Sequence, residues 1–172
     1  MTSIIYGTKQ SNAEIVSLDM AKQNSRIEYS DEDSLIQLLL DSATSEIENY
    51  LSSPVILRED SEIYFDNFQR FYEINMPFLI TKVEWIDKDD VKTEITDYDV
   101  ISNEIEIGVE KPKRFEKLLI TADLGYDMAD IPNDIKRAAL LIFSNSETYR
   151  ESVQVKFNQS AYNLLRNYKL KW

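Results

Sequence analysis

The spacing of apolar residues divides the chain into a helical region, an extended region and a second helical region. Ser17 stands before a short helical segment as an oxygen-bearing N-cap, and a longer segment carries an apolar stripe at helical spacing. Ser30 and Asp33 resemble a capping box at the start of the longer segment. The pattern therefore predicts helices over residues 17–24 and 31–52.

Between about residues 60 and 124 the hydrophobic period changes to two. Short runs rich in β-branched and aromatic residues alternate there with polar breaks, which is typical of antiparallel strands joined by turns. The runs are SEIYFD, RFYEI, FLITKVEWID, VKTEI, YDVI, NEIEIG and KLLITADLG. We expect these segments to form an antiparallel meander.

Helical spacing returns after Gly125, and it predicts helices over residues 132–152 and 159–169. The first of these helices begins at Pro132, which suits a first helical turn. We therefore expect an α+β fold, a mostly helical domain whose N-terminal and C-terminal helices flank the β-meander. The expected organisation is an N-terminal arm over 1–13, one domain over 14–157, and a C-terminal helix or tail over 158–172.

The helix predicted over 132–152 carries more apolar surface than one core face needs. One side, at Ile135, Ala139 and Ile142, suits the core, and the other side is also apolar. Two explanations stay open: both sides are buried within one subunit, or the second side contacts a neighbouring subunit. Under the second explanation, the candidate interface residues of the C-terminal region are Leu140, Leu141, Phe143, Arg150, Glu151, Tyr168, Leu170 and Trp172.

The overall charge argues against nucleic acid as a binding partner. The 172 residues include 31 acidic and 19 basic side chains, a formal net charge of -12, which repels nucleic acid phosphates. One short basic cluster, at Lys111, Lys113, Arg114 and Lys117, is interpreted as a solvated loop. No apolar run reaches the roughly 18 residues of a membrane span, and the first residues lack the features of a signal peptide. We expect no membrane partner.

Several kinds of chemistry are excluded by missing residue types. The chain has no Cys and no His, so it has no thiolate nucleophile, no Ser–His pair and no imidazole base. Residues 87–98 fail as a calcium loop because Val91, Lys92 and Tyr98 stand where a ligand, a turn glycine and the last glutamate belong. That segment is predicted to be a polar hairpin turn. We expect no cofactor and no metal site.

Four segments, in this order, resemble a known family: IVSLDMAKQNSRIEYSDEDSLIQLLLDSATSEIENYL, YEINMPFLITKVEWID, ITADLGYDMADIPNDIKRAALLIFSNSETYRES and AYNLLRNYKLKW. In combination they are similar to the head-to-tail connector, or adaptor, family of tailed bacteriophages and prophages. The resemblance covers about residues 15–170. The chain departs from the family pattern at Asn24, Asn145 and Ser146, which concerns the packing of two helices.

The resemblance implies a structural virion protein without catalytic residues. Members of the family form a ring, commonly of about twelve subunits, in which each copy uses two different flanks. The ring lies below the portal protein, extends the DNA channel and offers a surface to the next head-completion or tail protein. DNA would pass through without specific binding. The implied location is the head–tail interface of the virion, and the host cytoplasm during assembly.

Two other classes of function stay open at this point: a non-catalytic cytoplasmic adaptor or binding module, and a carboxylate-based hydrolase. Under the connector hypothesis, the charge of -12 predicts a free protein that is monomeric or weakly associated and becomes a ring on the portal. The two terminal segments carry aromatic residues with too little neighbouring sequence to form a core. Deletion of residues 166–172 is therefore predicted to weaken docking to neighbouring proteins while the domain stays folded.

Overall fold

The computed structural model describes residues 2–11, 13–148 and 158–169. The chain divides into two compact units. The sheet unit comprises Met1–Ser11 and Leu57–Gly125, and the helical unit comprises Asn12–Ile56 and Tyr126–Trp172.

The described strands all belong to the sheet unit. Their register is antiparallel throughout, and they divide into two sheets. In chain order they are β1 (Thr2–Ile5), β2 (Thr8–Lys9), β3 (Arg58–Phe65), β4 (Phe71–Glu73), β5 (Phe78–Asp87), β6 (Lys92–Glu94), β7 (Tyr98–Ile101), β8 (Glu104–Ile107) and β9 (Phe115–Leu124).

The larger sheet has the order β1-β3-β9-β5-β6, and β2 also pairs with β3. Strand β9 lies at its centre because Leu118, Leu119 and Ile120 form a continuous apolar run that is buried on both faces of the sheet. Ala122 and Leu124 extend the buried run to the end of the strand. A strand of this kind needs a neighbour on each side and cannot serve as an edge.

The smaller sheet has the order β4-β8-β7. Tyr72 and Ile105 are paired across two of its strands, and both side chains are buried. Their chain neighbours Phe71 and Glu106 are paired on the opposite face, because successive side chains of a strand alternate between faces. The smaller sheet therefore has one buried face and one outward face.

The helical unit contains four α-helices and a closing 3-10 turn within its described residues. Ser17 caps the first helix by accepting a hydrogen bond from the Met20 amide at 3.3 Å, and Arg26 and Ser52 end the first two helices in the left-handed conformation. The helices are α1 (Leu18–Ser25), α2 (Asp33–Leu51), α3 (Asn133–Thr148) and α4 (Gln159–Leu165), and the turn is Arg166–Tyr168.

One hydrophobic core joins the helices of this unit. The apolar stripe of α2, which includes Ile36, Leu40 and Ile47, packs in the same cluster as Ile135 and Ile142 of α3. Ala161 and Leu165 of α4 complete the cluster and are fully buried. The stripe read from the sequence is thus the inner face of α2.

The α+β fold and the seven strands predicted between residues 60 and 124 are confirmed. The expectation of a mostly helical domain with a single meander is wrong in detail. Strand β9 is inserted between β3 and β5, and β4, β7 and β8 form a separate sheet. The predicted N-terminal arm supplies β1 and β2, which lie largely exposed along β3.

The predicted capping box at the start of α2 is also wrong. Glu32 occupies the N-cap position without a side-chain hydrogen bond to the helix. Asp33 instead accepts from Lys22 Nζ at 2.6 Å, which ties α2 to α1. The charge near the helix start is used in an ion pair rather than in a cap.

Candidate interaction surface

Helix α3 positions three of the predicted interface residues. Leu140 and Leu141 are half-buried and pack against the core of the helical unit. Phe143 is 0% exposed and lies wholly within that core. The prediction that its side chain meets a neighbouring subunit is therefore corrected: Phe143 fills its own subunit. Arg150, Glu151, Leu170 and Trp172 lie outside the described residues.

Tyr168 is half-buried against the same core. Burial, together with the charge of Asp134 and a hydrogen bond to its carboxylate, raises the pKa of the Tyr168 hydroxyl. Because Asp134 lies in the first turn of α3, this contact ties the end of the described chain to the beginning of α3. Tyr168 is thus held by its own subunit.

Asn158 anchors α4 to α3 from the other end. Its side-chain oxygen accepts from the Ala161 amide at 3.2 Å, which caps α4. Its side-chain nitrogen donates to the Leu141 carbonyl at 3.1 Å. One residue therefore fixes both the start of α4 and its position against α3.

An aromatic groove of about 550 Å³ lies between α2 and α4. The rings of Tyr50 and Tyr162 meet edge to face with 4.7 Å between centroids, and Lys169 Nζ lies 4.7 Å from the Tyr50 centroid. The Tyr162 hydroxyl donates to Glu46. The lining residues are Ser42, Ser45, Glu46, Asn49, Tyr50 and Tyr162.

Tyr162 of the groove is not suited to proton transfer near neutral pH. Burial, and then the hydrogen bond and charge of Glu46, raise the pKa of Tyr162, so its phenol stays protonated. Tyr162 therefore acts as a hydrogen-bond donor to Glu46 within the helical unit rather than as a general acid or base. Sequence analysis missed the groove because Tyr50 and Tyr162 are 112 positions apart, and each residue alone fits a core stripe.

In the sheet unit, Tyr64 and Asp87 also have shifted pKa values. A hydrogen bond to Glu62, burial and the Glu62 charge raise the pKa of Tyr64 to about 12. Backbone amides of Val91 and Asp89 lower the pKa of Asp87. Each of these shifts moves the pKa further from 7, so Tyr64 stays protonated and Asp87 stays ionised at neutral pH. They therefore provide no proton donor or acceptor with a pKa near 7.

Asp87 also explains the turn in residues 87–98, the segment that fails as a calcium loop. Its Oδ1 accepts from the amides of Asp89 at 2.8 Å and Val91 at 3.0 Å, so it organises the turn between β5 and β6. The predicted hairpin is confirmed.

Within the described residues, no three His, Cys, Asp or Glu side chains are grouped so as to hold a metal ion. Across the same residues, no helix combines the length and the apolarity that crossing a membrane requires.

Residues 14–163 match the family model described as HCP, head completion protein. No curated protein matches the chain. Two solved structures with the same fold are "Neck of empty GTA particle computed with C6 symmetry", at 13% identity, and "Virion of native gene transfer agent (GTA) particle", at 12%. The first has a TM-score of 0.74 and covers 99% of this chain and 96% of that chain. The second has a TM-score of 0.72 and covers 98% and 96%.

A third structure is "Neck of native GTA particle computed with C12 symmetry", at 14% identity and a TM-score of 0.62. It covers 98% of this chain and 97% of that chain. The likeness therefore extends over both the sheet unit and the helical unit.

Proposed function

This chain belongs to the head completion protein family, and on that premise we propose that copies of it form a ring between the head and the tail of a phage-like particle. Its role is structural, as a head-to-tail connector. The observation that carries the proposal is the family match over residues 14–163, which includes the described helices α1 to α3 and every strand from β3 to β9.

The ring would lie below the portal protein, extend the DNA channel and present a surface to the next head-completion or tail protein. Two structures with the same fold are necks computed with C6 and C12 symmetry, which supports a closed ring and a count of about twelve. The particle would carry the protein at its head–tail interface after assembly in the host cytoplasm.

The charge of the chain suits a channel through which DNA moves. Basic proteins bind DNA by releasing counterions from its phosphates, and a net charge of -12 gives no such affinity overall. DNA would therefore pass through the ring without being held. A substitution that makes the channel wall basic would slow this passage.

The alternatives receive less support. A carboxylate-based hydrolase relies on a carboxyl group whose pKa is raised so that it can donate a proton. The pKa of Asp87 is shifted in the opposite direction: backbone amides of Val91 and Asp89 lower it. A cytoplasmic adaptor would remain free of particles, which separates it from a connector by experiment.

Sedimentation velocity with the cognate portal tests the proposed function. The free protein should sediment as a monomer or a weakly associating species. With portal present, it should move with the portal as a complex containing about one copy for each portal subunit, as a closed ring requires. A tight dimer at nanomolar concentration that ignores the portal would reject the connector role.

A further inference from the structure

The outward face of the smaller sheet is named here the outer sheet face. Side chains that are directly opposite across antiparallel strands share a face, so the register defines two rows on it. One row is Phe71, Glu106 and Asp99, and the other row is Glu73, Glu104 and Ile101.

This face is more exposed than the opposite face of the same sheet, on which Val100 of β7 is the partner of buried Ile105 and is itself 49% exposed. Tyr72, Ile105 and Ile107 on the inner face are buried, whereas Phe71 is 48% exposed and Ile101 is 57% exposed. Two large apolar side chains are thus about half exposed among carboxylates, and the Arg70 guanidinium lies 5.7 Å from the Phe71 ring centroid. Aromatic and aliphatic residues in such a setting are typical of contact surfaces.

The carboxylates of the outer sheet face are only partly compensated. Glu106 pairs with Arg70 at 2.7 Å. Glu73 accepts a hydrogen bond from Asn103 Nδ2 at 3.0 Å. Glu73 and Glu104 are nevertheless directly opposite across β4 and β8, and among the described residues neither they nor Asp99 pairs with a cation. Like charges placed opposite each other destabilise a sheet, and a cation from outside would relieve the repulsion.

Cations of the required kind occur where β9 begins: Lys113 lies in the connection between β8 and β9, and Lys117 lies near the start of β9 itself. Arg114 is paired with Asp89, so it is occupied within its own chain. Lys113 and Lys117 are exposed, and neither pairs with a carboxylate among the described residues. These two lysines are therefore available to a second chain.

We propose that, in the ring, the outer sheet face of one copy contacts Lys113 and Lys117 of the next copy. The inference rests on the proposed ring, because a heterologous closed ring needs two different and complementary patches on every copy. Copies with a net charge of -12 repel each other unless opposite charges meet locally. The methylene stems of the lysines would cover Phe71 and Ile101 while their ammonium groups meet the carboxylates.

Two charge-reversal variants test the contact. Glu73→Lys with Glu104→Lys makes the sheet face basic, and Lys113→Glu with Lys117→Glu makes the region around the start of β9 acidic. Each variant alone sets like charges against each other, so the amount of ring formed on the portal, counted by electron microscopy, should fall by about tenfold or more. A thermal melt of each variant verifies that it is folded.

Two rescue arms make the test specific for a contact between copies. A chain with all four substitutions has its charges exchanged at unchanged net charge, and it should form rings again. An equal mixture of the two double variants should also form rings, with the variants alternating, because each face then meets an opposite charge. Lys88→Glu with Lys92→Glu is the matched control, since both residues are exposed on the β5–β6 hairpin and the net charge changes equally. This control should assemble normally.

Carbodiimide cross-linking of mixed isotope-labelled and unlabelled wild-type chains gives a direct second readout. Bonds between Lys113 or Lys117 of one label and Glu73, Asp99 or Glu104 of the other are expected. Rings that persist in both double variants would overturn the inference and leave the connector role intact. Loss of rings in the face variant without rescue would also overturn it and would assign the face to a different protein. Absence of rings in the wild type would reject both the inference and the proposed function.

Discussion

The aromatic groove and the outer sheet face both present aromatic and acidic side chains, but they differ in how those side chains are satisfied. In the groove, Glu46 accepts from Tyr162, and Lys169 lies over Tyr50, so one subunit supplies both partners. On the outer sheet face, Asn103 donates a hydrogen bond to Glu73, but the charges of Glu73 and Glu104 stand opposite each other without a cation among the described residues.

The difference separates stability from assembly. Side chains that find partners within the subunit contribute to folding, and changing them should lower the free energy of unfolding. Side chains left with uncompensated charge contribute little to folding, and changing them should alter association. Substitutions and deletions in the two regions separate these contributions.

Phe143→Ala should cause the largest loss of stability. The ring is fully buried in the helical core, so its removal leaves a cavity and should cost about 3–5 kcal/mol of unfolding free energy. Urea denaturation followed by circular dichroism measures the change. Leu38→Ala on α2 is the control, because that side chain is 63% exposed and its loss should cost less than about 0.5 kcal/mol. If Phe143→Ala kept its stability but lost ring formation, the interface role first predicted for this residue would be restored.

Deletion of residues 166–172 should cost less, about 2 kcal/mol, because it removes half-buried Tyr168 and the contact of Lys169 with Tyr50. Deletion of residues 170–172 alone retains both contacts. The shorter deletion should leave the melting temperature unchanged and weaken portal binding, as predicted for Leu170 and Trp172. Equal portal binding by the wild type and the shorter deletion would remove the docking role from the C-terminus.

Tyr162→Phe should cost about 1 kcal/mol by removing the hydrogen bond to Glu46. It should also change the alkaline limit of stability. Since the folded protein raises the pKa of Tyr162, its contribution is fully present below the unfolded tyrosine pKa of about 10 and is lost as pH rises through the folded value. The variant should therefore lose less stability than the wild type above pH ~10. Parallel melts at neutral and alkaline pH measure the difference.

Glu104→Gln should have the smallest effect on folding and of the opposite sign. Removing one of two directly opposed carboxylates should stabilise the protein by about 0.2–0.5 kcal/mol. The same substitution should weaken ring formation, because it removes a partner of the lysines. A clear loss of unfolding free energy would show that Glu104 contributes to folding. It would contradict the assignment of the outer sheet face to association.

Local pattern was enough to predict most elements of this fold. The stripe through Ile36, Leu40 and Ile47 and the alternation in residues 78–87 each depend on neighbouring side chains, so helix α2 and strand β5 were predicted. Sheet order depends on which strands meet across the chain. The placement of β9 between β3 and β5 could not be predicted from local pattern, because the residues that pair lie more than 25 positions apart in the chain.

The interaction surfaces were less predictable for the same reason. A helix that is apolar on two sides is equally compatible with a sandwiched core and with a subunit interface, and only its packing shows that Phe143 belongs to the core. The outer sheet face depends on the register of β4 against β8, which places Glu73 opposite Glu104. Each glutamate alone has the appearance of an ordinary solvated charge.

Electron microscopy of the cognate portal incubated with the purified protein tests the central claim most directly. An added ring of density is expected on one face of the portal, with a symmetry compatible with the sixfold and twelvefold necks of the similar structures. An open channel through both rings is also expected. Portal particles without added density, at protein concentrations well above those of the portal, would contradict that claim.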